Sequence, residues 1–151
     1  MAWFDKVSPV KVTRAISPLP QTKTETLFTV AGGKVKLTSL VGQITTAISA
    51  DANAAKILHT PTEGSVIDLC ATIDINAYAK GDVLSVTGIF ADTLMPATKG
   101  GAAPGMTKPI ILKAGALGMN CAASKTGNIQ WIAEYIPLDD GATLVAGPTF
   151  P

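Results

Sequence analysis

From Thr26 onward no pattern in the chain lasts long. Runs of five to eleven apolar and β-branched residues alternate with Gly, Pro, Asn and Asp. Nine segments read as strands: TLFTV (26–30), KVKLTSLVG (34–42), AKILHT (55–60), SVIDLCATIDI (65–75), DVLSVTGIFA (82–91), PIILKA (109–114), GMNCAAS (118–124), NIQWIAEYI (128–136) and ATLVA (142–146). Short strands set off by frequent turn residues, with scarcely any helical period, restrict the fold to an all-β class. The expectation is a single antiparallel β-sandwich or barrel, jelly-roll-like.

The second segment alternates, with Val35, Leu37, Ser39 and Val41 on one face and Lys34, Lys36 and Thr38 on the other. That alternation marks a half-buried strand. In the eighth, Ile129, Trp131, Ala133 and Tyr135 share a face and read as a core stripe. The opposite face, Gln130, Ile132, Glu134 and Ile136, is itself half apolar. A strand apolar on both sides is central between layers or covered by another chain. AGG (31–33) and LDDG (138–141) read as the tight turns of an early and a late hairpin. The one helical candidate is 41–58, where ADANAA has room for a turn or two, although Thr45, Thr46 and Ile48 disfavour it.

The first residues differ from the rest. Pro9, Pro18 and Pro20 impose an extended path, and Lys6, Lys11, Arg14 and Lys23 give it positive charge. Residues 1–25 read as an arm lying over a neighbouring subunit and anchored by Trp3 and Phe4, with 26–151 as the sandwich domain. The stretch 93–109, rich in Gly, Ala and Pro, reads as a long loop carrying Met95 and Met106.

Composition narrows the function. Net charge is +1 and the chain has one arginine, with 5% aromatic residues, so neither nucleic acid nor an anionic membrane is an expected partner. No apolar run is long enough for a transmembrane helix, and Asp5 and Lys6 interrupt the stretch a secretory signal would need. Charged residues are only 15%, against roughly 25% in ordinary soluble domains. So little charge leaves apolar surface to be covered by other subunits.

No residue set justifies naming a reaction. His59 stands alone, with no nucleophile in a motif around it, and reads as structural. Cys70 and Cys121 sit in apolar contexts and read as two buried thiols rather than a disulfide, with no paired ligands for zinc. DINAYAKGD (74–82) has oxygens at Asp74, Asn76 and Asp82 but lacks the fixed spacing, central glycine and terminal glutamate of a calcium loop, and reads as turn chemistry. Asp139–Asp140–Gly141 reads as turn chemistry, and 98–108 lacks the order of a phosphate loop. The expectation is no enzyme, no cofactor and no metal.

Two stretches resemble a known pattern. LFTVAGGKVKLTSLVGQITTAI (27–48) and ASKTGNIQWIAEYIPLDDGATLVA (123–146) are similar to small virion proteins of tailed bacteriophages, most like head-decoration (cement) proteins. Together they cover about a third of the chain. The resemblance implies a structural protein made in the host cytoplasm and built into the virion. It also implies partnership with the major capsid protein and with copies of itself, as a trimer. Trp3, Phe4, Lys6, Lys11, Arg14, Met95, Met106, Ile132 and Ile136 are the candidate assembly residues. The competing readings are a tail, baseplate or connector component, a soluble ligand-binding sandwich, and a depolymerase-type enzyme. The last would need paired carboxylates that no spacing here supplies.

Overall fold

The computed structural model describes residues 8–97 and 102–150. Its strands, in chain order, are β1 (Val10–Thr13), β2 (Ser17–Pro18), β3 (Thr24–Ala31), β4 (Val35–Thr46), β5 (Ala54–Pro61), β6 (Ile67–Asp68) and β7 (Ile73–Asp74). They continue with β8 (Val83–Ser85), β9 (Met95–Ala97), β10 (Ile110–Leu112), β11 (Gly115–Cys121), β12 (Asn128–Pro137) and β13 (Thr143–Ala146). Among the described residues there is no helix.

Two sheets pack face to face as a β-sandwich, and neither closes into a barrel. The larger has seven strands, ordered β1-β12-β4-β8-β9, with β10 added to β4 and β2 to β12. The smaller has six, ordered β13-β3-β11-β5-β6, with β7 added to β5. All strand pairs are antiparallel. Between the sheets lies one core, in which Leu27, Phe28, Leu37, Leu40, Ile57 and Trp131 are wholly buried.

The two predicted turns are present, but they join layers and not neighbouring strands. AGG carries the chain from β3 in the smaller sheet to β4 in the larger, and LDDG carries it from β12 back to β13. The two corners run side by side. The Lys34 amide donates to the Asp139 carboxylate at 2.7 Å, and the Leu138 amide to the Lys34 carbonyl at 2.9 Å. A Cβ at Gly32 (φ 75) would lie 2.5 Å from the Gly141 carbonyl oxygen, so this corner requires glycine. The strands that pair are therefore β4 with β12 and β3 with β13.

Two bulges change the expected faces. In β4 the pairing with β12 shifts between Glu134 and Tyr135, so alternation restarts after Thr38. Val35 and Leu37 face inward as predicted, but Leu40, Gly42 and Ile44 then take the core and Val41 turns outward. In β3 the register shifts opposite Leu117–Gly118, which lets Leu27 and Phe28 both be buried. The helical candidate 41–58 is instead the end of β4, a connecting segment and the start of β5. The Thr and Ile that weaken a helix there are those that suit strands. The predicted strand 65–75 yields only β6 and β7, and part of the predicted loop 93–109 is β9.

The arm segment is also partly accounted for. Its residues 10–13 pair with β12 of the same chain, and Ser17–Pro18 continue along it. The anchors Trp3 and Phe4, with Lys6, lie outside the described residues.

Candidate assembly interface

β12 lies in the larger sheet between β1 and β4. Its inner stripe, Ile129, Trp131, Ala133 and Tyr135, is buried, while Gln130, Ile132, Glu134 and Ile136 on the outer side are half-buried. Strand register aligns the outer side into rows. One row crosses five strands as Thr13, Ile132, Val41, Ser85 and Met95. The next sets Lys11 opposite Glu134, itself opposite Ser39. A third runs Ile136, Lys36, Ile111, and Ile111 is 63% exposed. The surface thus has two partly apolar rows on either side of a row with one cation and one anion. A sheet face that carries half-buried Ile132, Val41 and Ile136 and exposed Ile111, with Lys36 the one charge in their rows, suits protein contact better than a small polar ligand.

The fold brings Lys11, Met95, Ile132 and Ile136 onto this face and keeps two other candidates away from it. Arg14 continues the inward alternation of Val10 and Val12 and is completely buried, so its charge is not offered to a partner's surface. Met106 is half-buried and packs against the core. Over Ser85 the face is covered by the chain itself, because the Ser85 hydroxyl donates to the Pro104 carbonyl at 2.7 Å. Sequence reading missed Ile111, and it placed Ile89 and Phe90 within a strand, whereas both are exposed beyond β8. An isolated exposed apolar residue in an apolar run carries no sequence signal that separates it from a core residue.

The carboxylates of 74–82 brace their own turns. Asp74 accepts from the Asn53 amide at 2.8 Å and from Asn76, and these hydrogen bonds, the Asn53 bond first, hold its carboxyl below the usual range. The Asp82 carboxylate accepts the Ala79 amide. Among the described residues no three His, Cys, Asp or Glu side chains converge on a point that could hold a metal ion. An open cleft of about 280 Å³ is lined by Thr62, Glu63, Lys113 and Ala114, with no aromatic platform. None of the described helices is long and apolar enough to cross a membrane, since none is present.

Both cysteines are free and buried. Burial pushes the Cys70 thiol up and the Cys121 thiol up to about 12. Neither is therefore expected to react with a thiol reagent at pH 8 in the native protein, and both should react on unfolding. Fast labelling of either one in the folded state would contradict this packing. His59 is also buried, its Nδ1 3.1 Å from the Ala116 carbonyl, and burial lowers its pKa against hydrogen bonds that raise it. A histidine with a lowered folded pKa binds its proton more readily in the unfolded chain. Its contribution is complete above the ordinary value of about 6.5 and is lost as pH falls below it. The urea midpoint should therefore drop between pH 7.5 and 5.5, and less so in His59→Gln.

Compared with known protein families, curated proteins and solved structures, the chain matches none.

Proposed function

We propose that this protein is a structural subunit of a tailed-phage particle, a head-decoration protein that binds the expanded capsid shell through the outer face of its larger sheet. The observation that supports this reading is the aligned row Thr13, Ile132, Val41, Ser85, Met95 beside the Ile136–Lys36–Ile111 row, on a domain whose charge is unusually sparse. The phage assignment itself rests on the sequence resemblance of 27–48 and 123–146. The role is one of attachment and not of catalysis, with capsid protein and further copies of itself, as a trimer, for partners. A ligand that binds only the expanded lattice stabilises that lattice by mass action, and no chemical step is needed.

The test is co-sedimentation of the purified protein with separated phage heads and tails, quantified per particle. Saturable binding to expanded heads at hundreds of copies is the expected result. Binding to tails alone would transfer the protein to the tail or baseplate, and binding to neither would remove it from the virion.

A further inference from the structure

Thr22 and Ala77 are the two described residues other than glycine with a positive φ, each at 55°. That left-handed region is unfavourable for a β-branched side chain, whose two Cβ substituents crowd the backbone. Threonine at 22 therefore holds strain that glycine would relieve. The strain falls in a short connector. Residues 21–23 are exposed and, among the described residues, are the one link between the arm segment 8–20 and the sandwich. Side-chain bonds hold the connector in place. Gln21 Nε2 donates to the Leu19 and Lys125 carbonyls, and the Thr22 hydroxyl lies 2.8 Å from that of Ser124.

Beyond this connector the arm has a seat matched to it. It follows the edge of β12, with Thr13 paired to Ile132 and Ser17 to Ile129. The Arg14 amide donates to the Trp131 carbonyl and the Leu19 amide to the Gly127 carbonyl. The side chains of Arg14, Ser17 and Leu19 are wholly buried. Arg14 Nη2 donates to the Pro148 carbonyl, and its guanidinium carbon lies 4.2 Å over the centroid of the Phe150 ring. The Ser17 hydroxyl accepts the Phe150 amide at 2.8 Å. A strand of another sequence would bring neither this cation nor this hydroxyl. What fits the seat is this arm, from the same chain or from a second copy.

All of these contacts are identical in the two cases. Only 21–23 differs, and it can leave the left-handed conformation when the arm crosses to another copy. A short strained hinge next to a fully docked strand is the condition that favours exchange of that strand between copies. Three extended residues reach about 10 Å, roughly the separation of two packed sheets, so the copies must abut along this side of the sandwich. Val10 and Ile16 of the arm are exposed there.

We propose that residues 8–20 are exchanged between copies of this chain, each arm seated on β12 of a neighbour, with Thr22 as the strained hinge that favours the exchange. This assembly does not depend on what the outer face of the larger sheet binds.

Lys11 and Glu134 stand directly opposite each other on β1 and β12, at a separation that a disulfide spans. Lys11→Cys and Glu134→Cys are made in separate chains, mixed in urea, refolded together and only then oxidised. A mixture of Lys11→Cys with Val145→Cys, on the smaller sheet, reads chance collision. A disulfide between the first two chains requires the arm of one on β12 of the other. The expected result is a covalent heterodimer at least tenfold above the Val145→Cys mixture. It should fall at least threefold when both chains also carry Thr22→Gly. Thr13→Cys with Ile132→Cys, the next pair on the same side, repeats the measurement should either variant of the first pair fail to refold. No heterodimer above the collision level overturns the exchange. A heterodimer unchanged by Thr22→Gly overturns the strained hinge as its cause.

Discussion

Replacing Trp131 by alanine is expected to cost about 3–5 kcal/mol, the largest loss from any single substitution considered in this fold. The side chain is completely buried in β12, and opposite it on β4 stands Gly42. A Cβ at Gly42 would lie 2.9 Å from two carbons of the indole and 2.8 Å from Ile129 Cδ1. The ring therefore lies against bare backbone, and no side chain stands ready to collapse into the space it would leave. A stability of about 5–15 kcal/mol for a domain makes such a loss a large fraction of the whole. Trp131→Phe should cost far less, because the indole Nε1 is buried without a partner and removing it forfeits no hydrogen bond. The converse crowding, Gly42→Ala, should cost about 1–3 kcal/mol. Urea unfolding followed by far-UV circular dichroism measures all three. A loss under about 1 kcal/mol in Trp131→Ala would mean that the ring does not fill the space between the sheets.

The same pair of strands shows what the sequence could and could not reveal. The inner stripe of β12 was legible because an unbroken two-residue period over Ile129–Tyr135 has one interpretation. In β4 the period is broken by a bulge at Thr38–Ser39, and no residue there announces it, so Val41 was assigned the wrong face. The corners at Gly32 and Gly141 were legible as turns. Which strands they separate into different layers was not, because a tight turn has the same residue chemistry whether the strands after it pair or part. The N-terminal segment was read as an arm because prolines and cations interrupt its apolar residues. Pro9 and Pro18 nevertheless fall at the ends of the paired run, where a missing amide is tolerated, and Arg14 occupies an inward position that an apolar pattern would not predict. The candidate interface was legible only in β12. Its rows with Val41 and Ile111 depend on long-range register, which local pattern does not encode.

Changing Ile132 and Ile136 together to lysine is expected to leave the domain folded and to reduce its binding to expanded heads at least tenfold. Both residues are half-buried on the outer side of β12, and neither belongs to the core cluster. Surface substitutions of this kind usually alter stability by about 0.5 kcal/mol, and a long lysine can lay its stem on the sheet while its ammonium reaches water. At an interface the same ammonium has to be desolvated beside Lys11 and Lys36, on a face whose complement accommodates apolar residues. A tenfold loss corresponds to about 1.4 kcal/mol, well within what one central interface residue commonly carries. Val145→Lys gives the comparison, since Val145 is exposed on β13 of the smaller sheet and the change adds one lysine charge at a distance from these rows, as each single change in the double variant adds one within them. If Val145→Lys weakens head binding and the double variant does not, the attachment surface belongs to the smaller sheet. If both bind as the native protein does, apolar contact through either sheet face does not hold it to the particle, and the exposed Ile89–Phe90 tip becomes the surface to change next.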